Sequence, residues 1–289
     1  MRKSYAFLQQ LACLVATIGL SIGAAKADGA ACEPAKLATK YPSLAGKTIK
    51  VGQDGESIPF SMRDPNDFSK LVGLDSDLAR AAFACTGVPI TFVVGAWAGL
   101  IPAAMAGQID VMWDTLLYTT ERAKKLDFVV YMNAATGMLV AKGNPKKIRA
   151  LGDLCGVTAT TALGTTQEAM LREASAACTA ANKPAVTIIT SSDMPSGLGL
   201  VQNGRADLVS VNKFVGDSMV ASSSGTVESA FDIVTGAKIS VGTAKGNSDL
   251  VRAIRDGLAA IRANGTEKSI YERYRVDYSL ATDPTILTE

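Results

Sequence analysis

The feature that most constrains the fold of this chain is an alternation of short β-branched runs with helical stretches. The run Thr48–Asp54 is β-branched and ends in polar residues, and a helical stretch, Gly73–Gly87, follows it. A strand at 89–95, a short helix at 97–107 and a strand at 108–114 continue the pattern. Strands that alternate with helices are typical of α/β proteins with parallel sheets. We therefore predict an α/β fold whose sheets are mostly parallel.

The stretch Gly73–Gly87 carries its own start and stop signals. Asp75 is expected to cap the helix, and Gly87 is expected to end it. Apolar residues at helical spacing form one face of this helix, namely Leu78, Ala82 and Cys85.

The same scheme is repeated in the second half of the chain. A strand, a Gly-Thr-Thr turn and a helix are predicted within 156–178, a strand at 185–192, and a helix followed by a strand at 194–211. Two extended segments, Thr136–Asn144 and Lys238–Asn247, both end in Ala-Lys-Gly-Asn. We expect two α/β lobes, with these segments as antiparallel or side-by-side hinge strands.

The N-terminus resembles an export signal. Arg2 and Lys3 precede an apolar stretch, Leu11–Ile22, and small residues follow at Ala25 and Ala27. A membrane anchor is the alternative, but the apolar stretch is short for a span of roughly 20 residues. We expect a signal peptide over 1–27, cleaved after Ala27, and a periplasmic protein.

Four cysteines remain after that cleavage: Cys32, Cys85, Cys155 and Cys178. Three pairings are possible, and proximity in sequence favours Cys32 with Cys85 and Cys155 with Cys178. The spacings do not match a CxxC metal or redox site, so we expect structural disulfides, each contributing about 2–4 kcal/mol.

Composition excludes several classes of function. The chain has no histidine, which removes imidazole bases and histidine metal sites. Its net charge is +2, and no dense basic patch indicates nucleic-acid binding. We expect no metal and no cofactor.

Seven motifs occur in one order along the chain: IKVGQDGESIPFSM, LVGLDSDLARA, WAGLIPAAMAGQIDVM, TTERAKKLDFVVY, LGTTQEAM, LVQNGRADLVSVN and KSIYERYRVD. Together they resemble the family 3 solute-binding proteins, which deliver polar amino acids to ABC importers. The resemblance implies the two-lobed type II periplasmic binding protein fold with a two-strand hinge. The first lobe would comprise 28–140 and 242–289, and the second 141–241. It also implies a monomer, a small ligand with a carboxylate and an ABC permease as partner.

Arg122 is the strongest candidate binding residue. A planar guanidinium matches a carboxylate bidentately, and α/β sheets bind ligands at strand ends. The resemblance implies that Arg122 clamps the ligand carboxylate. The alternative is a surface arginine paired with Glu121 or Asp127, which would contribute little.

The turn at Gly164, Thr165 and Thr166 is the second candidate. A helix that begins there offers free backbone N–H groups and a hydroxyl to an anion. The resemblance implies that these residues bind the same carboxylate, and a simple helix cap is the alternative.

The first lobe supplies further candidates around the ligand. The resemblance makes Trp97 an apolar wall, although a core tryptophan is nearly as consistent with the sequence, and it places Asp54 near the ligand side chain. Ser57 stands where many members carry a stacking aromatic residue. Trp113 is a possible replacement for that residue.

Two positions depart from the family pattern. Leu117 replaces a hydroxyl that binds the ligand head, and Asn212 replaces the aspartate that pairs with the α-ammonium group. Asp114, with Thr115 beside it, and Glu56 are also assigned to the site. These acids could restore the negative charge, or the ligand could lack an α-amine. Either way, we expect a poor receptor for neutral α-amino acids, biased toward carboxylates with a cationic remainder.

Two other functions remain open at this point. Cyclohexadienyl dehydratases resemble this family in fold, and Glu56 or Asp114 would be the acid such an enzyme needs. A periplasmic accessory or sensor protein with a degenerate cleft is the other alternative. We expect a binding protein rather than an enzyme.

Overall fold

A computed structural model of the protein describes residues 31–234 and 236–288, so the predicted signal peptide lies outside the described residues. The strands are β1 Ile49–Gln53, β2 Met62–Asp64, β3 Asp67–Val72, β4 Ile90–Val94, β5 Val111–Leu117, β6 Leu126–Asn133, β7 Thr136–Ala141, β8 Thr158–Ala162, β9 Thr187–Ser191, β10 Leu208–Asn212, β11 Val227–Ile233, β12 Lys238–Ala244 and β13 Ala281–Leu287.

The helices are α1 Leu37–Lys40, α2 Leu74–Thr86, α3 Trp97–Met105, α4 Thr120–Ala123, α5 Thr166–Ala180, α6 Met194–Gln202, α7 Lys213–Ser222, α8 Ser248–Ala263 and α9 Thr266–Arg273. Within the described part of the chain, none of these helices is long and apolar enough to span a membrane.

Two main sheets organise the molecule. A six-stranded sheet has the order β13-β6-β12-β5-β1-β4, and a five-stranded sheet has the order β11-β7-β10-β8-β9. We call the part built around the first sheet the first lobe and the part built around the second sheet the second lobe. The α/β class is confirmed, but the sheets are mixed rather than mostly parallel. Strands β7 and β12 both run antiparallel to their neighbours.

Within the described residues the chain passes between the two sheets twice, between β6 and β7 and between β11 and β12. These positions lie a few residues before the lobe limits expected after 140 and 241. The segments expected to form a side-by-side hinge pair do not pair with each other, because β7 belongs to the second sheet and β12 to the first. The two passages nevertheless touch, since Ala134 N donates to Ala237 O at 2.8 Å.

Helix α2 matches the predicted stretch but not the predicted cap. Gly87 ends the helix in a left-handed conformation, as expected. Gly73 occupies the capping position, and Asp75 is fully buried inside the helix, where it accepts hydrogen bonds from the body of the lobe. Asp75 is the second residue of the helix, so it lies too far inside the first turn to be the cap.

Each lobe contains one disulfide. Cys32 is bonded to Cys85 in the first lobe and Cys155 to Cys178 in the second, which confirms the predicted pairing. Neither bond links the two lobes.

Helices α2 and α8 pack closely against each other in the first lobe. A β-carbon at Gly257 in α8 would lie 2.3 Å from the carbonyl oxygen of Ala82 in α2. Glycine at this position is therefore what allows the two helices to approach.

We predict that Gly257→Ala lowers the free energy of unfolding by about 1–3 kcal/mol, because the added methyl group overpacks the α2–α8 contact. Gly199 in α6 is the matched control, since a β-carbon there would meet no atom within 4 Å. Gly199→Ala should raise stability by up to about 1 kcal/mol through helix propensity. Urea unfolding followed by circular dichroism measures both, and equal effects would contradict the packing argument.

Candidate functional site

A cavity between the two lobes contains the predicted arginine, and we call it the Arg122 cavity. Its volume is about 20 Å³. Its lining comes from both lobes and consists of Trp97, Thr115, Leu117, Arg122, Thr165, Thr166, Gln167, Met194 and Asn212.

Arg122 lies on the short helix α4, which begins directly after strand β5. Its backbone N–H is capped by the Thr119 hydroxyl at 3.1 Å, which anchors the first turn. The guanidinium donates to Leu117 O at 2.7 Å and, across the cleft, to Gly164 O at 3.1 Å. It also lies 5.4 Å from the centre of the Trp97 ring. One side chain therefore contacts both lobes.

The alternative explanation for Arg122, a surface ion pair, does not apply. Glu121 pairs with Lys124, and Asp127 pairs with Lys245. Among the described residues no carboxylate pairs with Arg122. Burial lowers the pKa of Arg122 to about 10, which leaves it charged at neutral pH. A half-buried guanidinium held by neutral carbonyl groups favours binding of an anion.

The second lobe presents the N-terminus of α5 to the cavity. Thr165 is the cap, and its hydroxyl accepts from Glu168 N at 3.2 Å. The backbone N–H groups of Thr166 and Gln167 belong to the first turn, where no intrahelical acceptor is available. Gly164 does not present its own N–H, because that group donates to the Glu168 carboxylate at 2.8 Å. Its carbonyl oxygen is the acceptor for Arg122.

Asn212 caps helix α7 and is 6% exposed. Its Oδ1 accepts from Phe214 N at 3.0 Å. Its Nδ2 is buried without a partner among the described residues. The cap fixes the orientation of the amide, so what Asn212 offers to the cavity is a hydrogen-bond donor.

Strand β5 carries a bulge where it reaches the cavity. Residues 113–115 oppose the single residue between Ser240 and Gly242 on β12. Side chains complete the hydrogen bonding of the bulge. Gln53 Nε2 donates to Trp113 O at 2.7 Å, and Trp97 Nε1 donates to Asp114 O at 3.1 Å. The backbone N–H of Thr115 donates to Asp75 Oδ2 at 2.8 Å. Thr115 adopts a left-handed φ of 48°. The bulge is thus held by buried side chains rather than by the sheet ladder.

Trp113 does not form a wall for a ligand, contrary to the sequence-based expectation. It is fully buried, with its ring centre 6.2 Å from that of Phe83 and 6.0 Å from that of Tyr131. The physical reason is that β5 is a central strand whose two faces are both covered. Successive side chains are therefore buried on either face instead of pointing by turns to the core and to the cleft.

Asp114 is also removed from the cavity. It is fully buried, and its Oδ2 accepts from Asp54 N at 2.7 Å. Burial raises the pKa of Asp114 well above its ordinary value, and the carboxyl groups of Asp54 and Asp75 raise it further. A carboxyl group that is enclosed in this way and lines neither cavity cannot pair with a ligand cation, which corrects the expectation that Asp114 could do so.

Asp54 and Glu56 line a separate cavity, which we call the acidic cavity. Its volume is about 260 Å³, and Trp97 forms the wall that it shares with the Arg122 cavity. Asp193 faces it from the second lobe. Burial raises the pKa of Glu56, and the negative charges of Asp193 and Asp54 add to this effect. A cation placed here would relieve that repulsion.

Ser57 is fixed beneath the acidic cavity instead of facing a ligand. It is 1% exposed, and Asp54 accepts from both its N–H and its hydroxyl, at 3.1 and 2.8 Å. No aromatic residue replaces it from this segment.

Sequence reasoning missed Gln167, Met194 and Asp193. Gln167 is held by Thr136 at 3.2 Å, while Met194 and Asp193 begin helix α6. Nothing in their local sequence indicates a binding site. They reach the cleft only because the second lobe packs against the first.

Residues 49–277 match the model of the bacterial extracellular solute-binding proteins, family 3. The L-cystine-binding protein of Escherichia coli strain K12 is 28% identical over 228 residues, covering 78% of this chain and 82% of that protein.

Solved structures give the same picture. An ancestral arginine-binding protein bound to arginine superposes with a TM-score of 0.72 at 30% identity, covering 78% of this chain and 97% of that one. An ancestral amino acid-binding protein, described as a precursor of cyclohexadienyl dehydratase, gives a TM-score of 0.69 at 30% identity, covering 82% and 99%.

We predict that the free energy of unfolding falls as pH rises from about 4 to about 7. Burial raises the pKa of Asp75 to about 7, outweighing the hydrogen bonds from Tyr131 and Thr115 that lower it, and Asp54 adds to the rise. The folded state therefore binds more protons than the unfolded state between about pH 4 and about pH 7. The stability that protonated Asp75 contributes is lost as the pH rises through this range.

Asp75→Asn should reduce this slope, because the amide keeps an acceptor for Thr115 N but does not titrate. The difference amounts to at most about 4 kcal/mol across the range. Asp54 and Asp114, whose pKa values burial also raises, should leave a residual slope. Denaturant unfolding at a series of pH values tests the prediction, and an unchanged slope in the variant would contradict it.

Proposed function

Because the chain belongs to the bacterial extracellular solute-binding proteins of family 3, we propose that it is the periplasmic substrate-binding component of an ABC importer. It captures a small carboxylate-bearing solute, an amino acid or a similar molecule, between its two lobes. The relatives named above bind cystine and arginine, which supports a ligand of this size and chemistry.

The observation that carries the proposal is the position of Arg122. Its guanidinium contacts one carbonyl group from each lobe and retains further N–H donors. A ligand carboxylate bound there would take a bidentate, charge-assisted contact and would also face the N-terminus of α5. The same contact would hold the lobes together, so binding and closure are coupled.

The acidic cavity supports a ligand with a second, cationic end. Asp54 and Glu56 from the first lobe and Asp193 from the second surround it, with no lysine among its lining residues and Arg63 as its one basic residue. A ligand that extends past Trp97 would place its carboxylate beside Arg122 and its cationic end in the acidic cavity.

The connections between the lobes support hinge motion. We assign the first lobe to 31–133 and 238–288 and the second to 136–233, with the two connections between β6 and β7 and between β11 and β12 as the hinge. Both disulfides lie within a lobe and leave this hinge unconstrained. The protein acts as an exported monomer that presents its closed form to a permease.

A dehydratase is the second candidate, and one residue favours it. Glu56 lines a cleft cavity and has a raised pKa, as a general acid requires. Asp114, the other acid considered, is enclosed and cannot reach a substrate. Release of the dehydrated product from prephenate or arogenate by the purified protein, lost in Glu56→Gln, would establish this activity in place of simple binding.

We predict that Arg122→Lys weakens binding by about 2–4 kcal/mol, because lysine keeps the charge but loses the bidentate fork. Mass spectrometry of the small acid released on denaturation, from protein purified from the periplasm, measures how much solute each variant retains. Arg252→Lys is the control, since Arg252 pairs with Asp249 on the surface of α8. Equal retention of the solute by both variants would remove Arg122 from the binding site.

A further inference from the structure

We propose that the Arg122 cavity selects a carboxylate whose adjacent carbon carries no ammonium group. The preferred ligand is then an ω-amino or ω-guanidino carboxylate rather than an α-amino acid. This inference rests on the proposed function and names the substrate class of the same site.

The polar groups that face the cavity are mainly donors. Arg122 presents its remaining guanidinium N–H groups, and the first turn of α5 presents backbone N–H groups. Asn212 adds Nδ2, which is buried without a partner in the described part of the chain. A carboxylate, which only accepts hydrogen bonds, satisfies all of these groups.

Asn212 cannot turn its oxygen toward the ligand. Its Oδ1 accepts from Phe214 N, one of the otherwise unsatisfied donors at the start of α7. Rotation of the amide would place Nδ2 against that N–H and leave two donors facing each other. An α-ammonium group, which has donors only, would therefore meet another donor at Asn212.

The cavity also lacks a negative charge for an ammonium group. None of its nine lining residues is acidic. Of the other acceptors nearby, Leu117 O is taken by Arg122, and Gln167 Oε1 accepts from the Thr166 hydroxyl at 3.2 Å. The acceptors that remain on the lining side chains are threonine hydroxyl oxygens, which carry no charge. Placing an ammonium group here would leave a largely unpaired charge in a confined space, which is costly.

The Arg122 cavity is the smaller of the two cavities, at about 20 Å³ against about 260 Å³ for the acidic cavity. Leu117 adds an apolar wall where the adjacent CH₂ group would lie.

The cationic end of the ligand belongs on the other side of Trp97. The acidic cavity there has the larger volume, about 260 Å³, and it holds Asp54, Glu56 and Asp193. The two cavities thus separate the carboxylate from the cation. An α-amino acid carries both charges on one carbon, whereas an ω-cationic carboxylate carries them at opposite ends.

Two ligand pairs isolate the α-ammonium group: 5-guanidinopentanoate with L-arginine, and 5-aminopentanoate with L-ornithine. Within each pair the molecules differ only by that group. Isothermal titration calorimetry with the parent protein should show about tenfold or greater preference for the member without the α-ammonium group.

Asn212→Asp should reverse the preference. Aspartate is an equally good helix cap, so Phe214 N keeps its acceptor, while the second oxygen supplies an acceptor and a charge. L-Arginine binding should strengthen about tenfold and 5-guanidinopentanoate binding should weaken. Asn203→Asp is the matched control. Asn203 also accepts from a backbone N–H two residues on, Arg205 N at 3.2 Å, but it is exposed and outside the cavity.

The outcomes separate this inference from the proposed function. Tighter binding of L-arginine, L-ornithine or L-glutamine by the parent than of either ω-cationic carboxylate overturns the inference and leaves the proposed function standing. An unchanged preference in Asn212→Asp also overturns it. Absence of binding by all five molecules to both the parent and Asn212→Asp overturns this inference. If the purified parent also releases no small acid on denaturation, the proposed function is overturned with it.

Discussion

The cleft depends on how the polar backbone of β5 is satisfied where the strand leaves its ladder. A buried N–H or C=O group without a partner is costly, so a bulge in a central strand needs replacement hydrogen bonds. Gln53, Trp97 and Asp75 supply them. These bonds hold Thr115 in its left-handed conformation and bring the end of β5, and the helix that carries Arg122, to the cleft. Tyr131 completes the arrangement, because its hydroxyl donates to Asp75 at 2.5 Å.

Charge is distributed unevenly around this framework. The acids behind the strand, Asp75 and Asp114, are buried, and burial raises the pKa of both carboxyl groups. Each accepts a hydrogen bond from a backbone N–H group of the first lobe. Arg122 on one side of Trp97 keeps its positive charge, and the acidic cavity lies on the other side. The ring of Trp97 thus separates the positively charged Arg122 from the acidic cavity, and its indole N–H donates to Asp114 O in the bulge. Ligand selection and the packing of the first lobe therefore depend on the same residue.

Much of this was accessible from sequence where the signal is local. The helix stop at Gly87 and the turn before α5 follow from residue type and spacing, and the disulfide pairs follow from proximity. The roles of Trp113 and Asp114 could not be read this way. Both lie on a strand that is buried on its two faces, where the usual alternation between core and exposed surface does not hold. Asp75 was misjudged as a cap for a related reason, since its partners Thr115 and Tyr131 are distant in sequence.

The sequence by itself determined the α/β class, the family and the presence of an arginine suited to a carboxylate, because periodicity, motif order and side-chain chemistry are properties of the chain. It also showed that Asn212 could supply no counter-charge. Only the tertiary structure decided what Asn212 offers instead, because the cap on Phe214 N fixes which end of the amide faces the cavity. The separation of the acids from Arg122 was likewise decided by packing. Hydrogen bonds and burial between residues far apart in the chain determine which charges a ligand meets, and the linear order of residues does not contain those distances.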